Sequence, residues 1–422
     1  MEDINSTKVE IMSPVGSFES LAAAIQAGAD AVYFGIGNLN MRSRSTVNFT
    51  LDDLHQIVQT CHEHHTNTYL TVNTIVYSDE MNAVRELLHA AKKEGVTAII
   101  ASDWAVITEA QKIGLKVHVS TQCNITNLEA VRFYAQFADV MVTARELNLK
   151  QVKEIVDGIR KEQIKGPSGE LVKIEVFAHG ALCMAVSGKC YLSLDNLHAS
   201  ANRGACLQPC RRKYTVKDAE EGTELLIDGK YILSPKDLCT IGFLDKILDA
   251  GVSILKIEGR GRSPEYVKTV TRCYKEAVAA CRDHTYGEEK VGDWFRQLRE
   301  VYNRDFWDGY YLGRKMGEWT ERYGSQALKT KIHIGKVNNF FSKKMVAEIL
   351  VENGRLQTGD DILIIGPTTG VYEDRLEEIR VDLQSVPSAH KGEMCSIPVQ
   401  NRVRHNDKVY KLVNICDSDI YE

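Results

Sequence analysis

The sequence predicts an α/β protein in which a (β/α)8 TIM-like barrel precedes a small C-terminal β-barrel domain. Eight short apolar runs rich in β-branched residues recur through the first 260 residues, as buried parallel strands require. Segments with apolar residues at three- and four-residue spacing separate these runs and indicate helices. After about residue 330 the pattern changes to short alternating strands with tight turns, which indicates an all-β unit.

Predicted strands and helices alternate along the barrel segment. Strands are expected at residues 9–14, 31–36, 68–73, 98–102, 116–121, 139–145, 173–180 and 254–260. Helices are expected at residues 19–27, 51–63, 79–94 and 127–137. Gly28, Gly95 and Gly251 each stand just before a strand, where a glycine commonly ends a helix. Eight such units within about 280 residues favour a closed barrel, and an open α/β sheet is the alternative.

Three segments divide the chain. Residues 1–290 form the predicted barrel, residues 291–330 an aromatic-rich connector, and residues 331–422 the small β-barrel domain. An insertion at about residues 181–250 separates the seventh and eighth strands. It follows the carboxyl end of a strand, which is the face where barrel enzymes place their active sites. Functional residues are therefore expected in the insertion and at the strand ends beneath it.

The composition is that of a soluble globular protein. The chain has 422 residues, of which 44% are hydrophobic, and 52 basic against 57 acidic side chains give a net charge of −5. These values exclude a disordered, collagenous or coiled-coil protein. No run approaches the roughly 20 apolar residues of a membrane span, and the polar N-terminus lacks the features of a signal peptide. We therefore expect a cytoplasmic protein without a membrane partner.

Cysteines are concentrated in the insertion. The chain has 11 cysteines, and five of them lie in this segment: Cys183, Cys190, Cys206, Cys210 and Cys239. Crowded thiols in a reducing compartment indicate metal or thiol chemistry rather than disulfides. Among the first four, only Cys206 and Cys210 form the close pair that is typical of structural zinc. An iron–sulfur cluster, a zinc site and unligated thiols all remain open on spacing alone.

Several phrases of the sequence resemble a known family. Residues 175–183 (EVFAHGALC) and 188–193 (GKCYLS) are similar to the signature of peptidase family U32. Residues 12–16 (MSPVG), 120–122 (STQ) and 255–260 (LKIEGR) fit the same family. The resemblance extends over most of the chain, and its overall layout is similar to the tRNA hydroxylation branch of that family.

This resemblance implies a function, a cofactor and partners. Members of the branch carry a 4Fe–4S cluster and form 5-hydroxyuridine at the tRNA wobble position without oxygen, using prephenate. It implies the tRNA anticodon loop and a second protein of the family as partners. The cluster ligands implied here are Cys183, Cys190, Cys206 and Cys210, with Cys239 as the alternative fourth ligand. Two other functions stay open: a collagenase-like U32 peptidase, and a non-catalytic RNA-binding protein with a structural zinc.

Polar residues at the strand ends are the candidates for the pocket. Those assigned to catalysis or substrate binding are Asn73, Gln122, Arg145, His179, Glu258 and Arg260. Arg145 and Arg260 suit a small dicarboxylate such as prephenate, because a guanidinium group matches a carboxylate. Arg145 and Glu258 are the predicted catalytic residues. The alternative is a structural ion pair of Arg260 with Glu146 or Glu258.

Two arginines directly follow the fourth predicted ligand. Arg211 and Arg212 stand next to Cys210, where they are expected to contact the phosphates of a tRNA loop. Their alternative role is to neutralise an anionic thiolate cluster. The negative net charge of the chain argues against a large nucleic-acid surface but permits a local patch.

Overall fold

The structure is a computed structural model. It describes residues 9–43, 48–212, 214, 219–220, 233–315, 317–322 and 324–415. In this part of the chain, no helix combines the length and apolar character needed to cross a membrane.

Eight parallel strands close into a barrel. The first strand (Glu10–Pro14) pairs with the second (Ala31–Gly35) and with the last (Ile254–Ile257), and the seventh (Lys173–Ala181) also pairs with the last, so the eight parallel strands form a closed ring. The predicted (β/α)8 barrel is confirmed, and the open-sheet alternative is wrong. The strands are β1 (Glu10–Pro14), β2 (Ala31–Gly35), β3 (Asn67–Val72), β4 (Ala98–Ala101), β5 (Val117–Val119), β6 (Val140–Val142), β7 (Lys173–Ala181) and β9 (Ile254–Ile257).

Amphipathic helices cover the outside of the barrel. Several of them begin or end with local signals, such as the Ser17 side chain that accepts a hydrogen bond from the Ser20 amide at the start of the helix Phe18–Gln26. Gly95 ends α3 with a φ of 82°, which favours glycine. The helices are α1 (Phe18–Gln26), α2 (Asp53–Glu63), α3 (Met81–Glu94), α4 (Trp104–Lys112), α5 (Leu128–Tyr134) and α6 (Leu149–Glu162).

The insertion leaves and re-enters the barrel at one place. It contains α7 (Leu192–Leu197), and the chain returns as β8 (Asp237–Cys239), which pairs antiparallel with the end of β7. α8 (Leu244–Asp249) follows and buries Leu244 and Ile247 in the barrel core. Residues 237–250, predicted as part of the insertion, are therefore barrel structure. Strand β8 is too short to give a recognisable apolar run.

The segment after the barrel packs back on it. α9 (Pro264–Arg282) is followed by α10 (Glu288–Glu300) and β10 (Phe306–Trp307), which extends the barrel sheet beside β8. Trp294, Leu298 and Tyr311 belong to the barrel core. The aromatic residues expected in a connector are there because they cover apolar barrel surface.

The C-terminal unit is all-β. Its strands are β11 (Lys329–Phe341), β12 (Val346–Val351), β13 (Arg355–Gln357), β14 (Asp361–Gly366), β15 (Gly370–Arg375), β16 (Ile379–Val381), β17 (Gln384–Val386), β18 (Ser388–His390), β19 (Met394–Pro398) and β20 (Lys408–Asn414). Eight of them form an antiparallel sheet in the order β15-β14-β20-β11-β12-β19-β16-β17. They enclose a separate apolar core that includes Ile349, Ile364 and Val409.

The C-terminal sheet contacts the barrel through its outer helices. Gln26 on α1 donates a hydrogen bond to the carbonyl oxygen of Thr369 (2.6 Å) and accepts one from the amide of Val371 (3.0 Å). Ala23 packs against Leu363 and Val371. The contact lies on the helical wall, so it leaves the carboxyl ends of the barrel strands accessible to the insertion.

Candidate functional site

A single cavity brings the strand ends and the insertion together. Its barrel wall includes Asn73, Gln122, Arg145, Glu258 and Arg260, all of which were predicted from the sequence. Its other wall is the insertion, which contributes four cysteines and Arg211. The carboxyl face of the barrel is therefore a site lined by thiols on one side and by charged and amide groups on the other.

The four cysteines predicted as ligands all line this cavity: Cys183, Cys190, Cys206 and Cys210. Burial raises the pKa of the Cys210 thiol; Arg211 opposes this shift and the other three thiols add to it, so the four sulfur groups interact electrostatically. Within the described residues, no three His, Cys, Asp or Glu side chains are placed to hold one metal ion. The structure thus brings the four thiols to one cavity.

Cys239, the alternative fourth ligand, lies elsewhere. It is buried on β8, where the Tyr274 hydroxyl lies 4.0 Å from its sulfur. Burial raises the pKa of this thiol to about 12. Cys239 is not among the residues that line the cavity. It therefore occupies the position of a core residue.

Glu258 forms an ion pair with a residue that the sequence analysis missed. Arg42 Nη2 lies 2.7 Å from Glu258 Oε1. Burial alone would raise the pKa of Glu258, but Arg42, Arg262 and Arg145 outweigh it and lower that pKa to about 2. Glu258 is therefore a carboxylate at neutral pH and has no proton to donate. Arg42 lies in the loop after β2, seven residues beyond the end of the strand. A search limited to residues at strand ends therefore does not include it.

Arg260 lies deep in the barrel and does not pair with Glu258 or Glu146. Its Nη1 donates to Asn40 Oδ1 (3.0 Å) and to Thr71 Oγ1 (2.9 Å). Burial lowers its pKa to about 10. Gly35 makes room for this guanidinium, because a Cβ there would lie 2.6 Å from Nη1. The structure does not contain the alternative ion pair of Arg260 with Glu146 or Glu258, and Arg42 is the partner of Glu258.

Arg145 is held against the cavity wall without a carboxylate partner among the described residues. Its guanidinium stacks over the Phe177 ring at 3.9 Å, and Nη1 donates to the carbonyl oxygen of Ala181 (3.2 Å). Its buried Nε has no hydrogen-bond partner. A buried unpaired donor is costly, so this arginine is suited to an anionic ligand.

Asn73 and Gln122 form a neutral polar edge of the cavity. Gln122 Nε2 donates to the main-chain carbonyl oxygen of Asn73 (2.7 Å), and Asn73 Nδ2 lies 3.3 Å from Gln122 Oε1. Ser120 donates to the same Gln122 oxygen. The two amides therefore fix each other, and they present groups that can donate and accept hydrogen bonds.

His179 does not line the cavity, contrary to the prediction. Strand β7 changes register between Phe177 and His179, and such an irregularity turns the later side chain to the other face. His179 packs against Tyr266, Tyr274 and Phe306 and is 1% exposed. Burial, helped by Arg262, lowers its pKa to about 3. It is a neutral core residue.

The two arginines after Cys210 have different environments. Arg211 is partly buried and donates to the carbonyl oxygens of Leu182 (2.8 Å) and Pro235 (2.9 Å) and to the Ser234 hydroxyl (2.9 Å). Arg212 is exposed. Arg211 therefore braces the two ends of the insertion, and of the two only Arg212 is available to an external phosphate.

A buried ion pair lies beneath the cavity and was not predicted. Lys256 Nζ lies 2.7 Å from Glu175 Oε1, and His118 Nδ1 lies 3.7 Å from Glu175 Oε2. Lys256 reaches the cavity, whereas Glu175 and His118 lie below it. Glu175 and Lys256 stand inside predicted strands, and this position could have indicated the pair. A charged side chain inside a barrel strand is costly unless it is paired or has a function.

The fold and the cavity together define a barrel protein with a cysteine-rich insertion over its active face. Residues 16–321 match the profile of peptidase family U32. The chain belongs to this family, and the resemblance found in residues 175–183 and 188–193 is confirmed.

Three relatives show the range of names in the family. A collagenase from Porphyromonas gingivalis is 57% identical over 408 residues, which are 97% of this chain and 99% of the relative. The tRNA hydroxylation protein P1 of Bacillus subtilis is 30% identical and the match covers 88% of this chain and 87% of the relative. The tRNA hydroxylation protein P of Helicobacter pylori is 33% identical, with coverage of 78% and 76%. The family thus includes proteins named for two different activities.

Proposed function

We propose that this protein is an iron–sulfur enzyme that hydroxylates tRNA without oxygen, forming 5-hydroxyuridine at the wobble position with prephenate. The observation that carries the proposal is the shared cavity, in which four thiols face Arg145 and Arg260. Relatives named tRNA hydroxylation proteins, alignable over most of the chain, support the choice of reaction.

The proposed 4Fe–4S cluster is held by Cys183, Cys190, Cys206 and Cys210. The fit rests on the donor set: four thiols from separate turns around one space. A cluster of four irons takes one thiolate per iron, so its ligands stand apart, whereas one zinc ion draws its ligands to about 2.3 Å. When bound, such a cluster supplies one-electron redox chemistry and a Lewis-acidic iron.

The barrel wall supplies the proposed site for the dicarboxylate. Of the described residues that line the cavity, five are basic and one is a carboxylate: Arg42, Arg145, Arg211, Lys256, Arg260 and Glu258. This excess of positive charge favours an anionic ligand. Among the described residues, Arg145 and Arg260 form no ion pair with a carboxylate, and their guanidinium groups match carboxylates in bidentate geometry. We assign prephenate to these two arginines, with Asn73 and Gln122 beside it.

The anticodon loop is the proposed macromolecular substrate. A uridine has to leave the base stack to reach a cavity inside a barrel mouth, as in other enzymes that act on bases. Arg212 is exposed at the insertion and is the candidate for a phosphate contact. A second U32 protein is proposed as a partner in this reaction.

Nucleoside analysis of tRNA from a deletion strain tests this function. The expected result is loss of 5-hydroxyuridine and of nucleosides derived from it, restored by the wild-type gene and not by Cys183→Ser. The anaerobically purified protein should contain about four iron and four sulfide per chain. Unchanged wobble uridines in a strain without a paralogue would overturn the proposal. One zinc per chain with no sulfide would support the structural-zinc alternative instead.

A collagenase-like peptidase is the second candidate, because a relative named collagenase is 57% identical over nearly the whole chain. A thiol peptidase needs a base beside its nucleophile. No histidine stands among the described residues that line the cavity, and His179 is buried behind it. Hydrolysis of soluble collagen by the purified protein, lost in Cys183→Ser, would favour this candidate over the first.

A further inference from the structure

The interior of the barrel carries charge where apolar packing is usual. Barrel interiors are filled mainly by Val, Ile and Leu in layers. Here Lys256, Glu175 and His118 lie inside, with exposures of 5%, 0% and 6%. Burying ions costs several kcal/mol each unless they are paired or used. The cavity function described above uses none of the three.

Lys256 is the member of this group that reaches the cavity. It precedes Glu258 by two positions along the β9 segment, so its side chain points to the same interior one layer deeper. It lines the floor of the cavity together with Phe177 and Tyr33. Its Nζ lies 4.7 Å from the centre of the Tyr33 ring. A ligand held by Arg145 and Arg260 would therefore stand above an ammonium group.

Glu175 and His118 hold this ammonium from below. Glu175 Oε1 lies 2.7 Å from Lys256 Nζ, and its Oε2 has no hydrogen-bond partner. The unpaired His118 Nδ1 lies 3.7 Å from that oxygen. Burial alone would raise the pKa of Glu175, but Lys256 and His118 outweigh it and lower that pKa. Glu175 is thus an anion, and its Oε1 holds Lys256 Nζ in place.

We propose that Lys256 is a catalytic proton donor at the cavity floor, and that Glu175 and His118 are positioning residues that hold its ammonium toward the bound ligand. This inference rests on the proposed function and names an acid for it. In the step, an N–H bond of Lys256 breaks and an O–H bond forms on an oxyanion of the ligand. The neutral amine regains a proton from water that enters when the product leaves.

The alternative acid in the cavity is excluded by its charge. Glu258 is a carboxylate at neutral pH because Arg42, Arg262 and Arg145 lower its pKa to about 2. Guanidinium groups do not release protons near neutral pH. Among the described basic side chains that line the cavity, Lys256 is thus the one whose proton can be transferred, and it lies against the anion site. The titratable and charged groups facing it are Glu175, His118, Tyr33, Tyr69, Glu10, Glu258, Arg145 and Arg260.

Lys256→Arg is the first test, because it keeps the positive charge and the partner Glu175 but removes the transferable proton. With anaerobically purified protein, prephenate and unmodified tRNA, we expect turnover to fall at least about 100-fold. Prephenate affinity should stay within about threefold, and iron content should not change. Lys268→Arg is the matched control, since Lys268 pairs with Glu373 outside the cavity, and it should keep full turnover. Full turnover of Lys256→Arg would overturn the inference.

Glu175→Gln is the second test and decides the matter if Lys256→Arg does not fold. Removing the carboxylate destabilises the ammonium, so the alkaline limb of the pH–turnover profile should move to lower pH by about one unit or more. A purely structural role would lower turnover at every pH without moving the limb. An unmoved limb, or trapping of Lys256 by borohydride as an imine, would overturn the inference while leaving tRNA hydroxylation intact. Wild-type protein without any hydroxylation would instead overturn the proposed function, and this inference with it.

Discussion

The two walls of the cavity are built in different ways. The barrel wall presents Glu258 and Arg260 from the end of a closed parallel sheet, and each has partners within 3.0 Å. The insertion wall has little regular structure: between Leu182 and Asp237 its described elements are α7 and two short 3-10 turns, Ala201–Arg203 and Pro209–Arg211.

Two contacts of the described part of the insertion reach loops of the barrel. Ser43 donates to the carbonyl oxygen of Gly204 (3.2 Å), and Arg203 pairs with Glu80. The barrel wall is thus part of the closed sheet, whereas the described contacts of the thiol wall run largely to loops. We expect the first to supply a preformed anion site and the second to depend on the group that its thiols hold.

The largest effect is expected from the thiols themselves. Cys183→Ser, Cys190→Ser, Cys206→Ser and Cys210→Ser should each abolish iron binding, because a ligand is lost. Cys239→Ala is the matched control and should retain iron, since Cys239 lies in the core. Iron and sulfide analysis after anaerobic purification measures both. If Cys239→Ala lost iron and Cys210→Ser kept it, Cys239 would be the fourth ligand and Cys210 would not.

The ion pair of the barrel wall should appear in the pH dependence of stability. The folded-state pKa of Glu258 is about 2, below its ordinary value of 4.5, so its contribution is present above pH 4.5 and is lost as the pH falls toward 2. That contribution is on the order of 3 kcal/mol. Urea unfolding from pH 7 to pH 3 should show a steeper loss of the free energy of unfolding in the wild type than in Glu258→Gln. Equal slopes would mean that the pair does not stabilise the wall.

The anion site should respond to loss of one guanidinium. Arg145→Met is expected to weaken prephenate binding about 10- to 100-fold, the range for a charge-assisted hydrogen bond. Titration calorimetry gives the affinity, and the melting temperature reports folding. Arg85→Met, on the outer helix α3, is the control and should bind normally. An unchanged affinity in Arg145→Met would move the dicarboxylate to another part of the cavity.

The smallest effect separates the two arginines of the thiol wall. Arg212→Ala should lower the salt dependence of tRNA binding by about one counterion and leave iron content unchanged. Arg211→Ala should instead loosen the insertion and lower iron retention, because three internal hydrogen bonds are lost. Binding curves at two salt concentrations and iron assays measure the two variants together. Identical behaviour of both would contradict the different environments described here.

The barrel could be predicted from the sequence because its signal is repeated and local. Apolar runs at eight strands, four amphipathic segments between them and glycine stops at three positions agree with one another, and strand ends then place Asn73, Gln122 and Arg260 on one face. His179 was misplaced because a register change in β7 depends on pairing with β9 and leaves no mark in the sequence. Arg42 was missed because a loop folds it back over Glu258. Residues that reach the site through irregular backbone need the three-dimensional structure.

The insertion begins at the end of β7 and ends at β8, which pairs with β7, and this has a consequence for how such proteins diversify. Ala181 and Asp237 are direct neighbours in the antiparallel pairing of β7 and β8. The pairing of β7 with β8 holds the two ends of this long loop together. This pairing therefore offsets the entropic cost of closing the loop, and contacts within the loop are not needed for it. A lineage can lengthen, shorten or replace the segment between those two residues while every barrel pairing persists. The segment that carries the thiols can therefore change independently of the barrel that holds its ends.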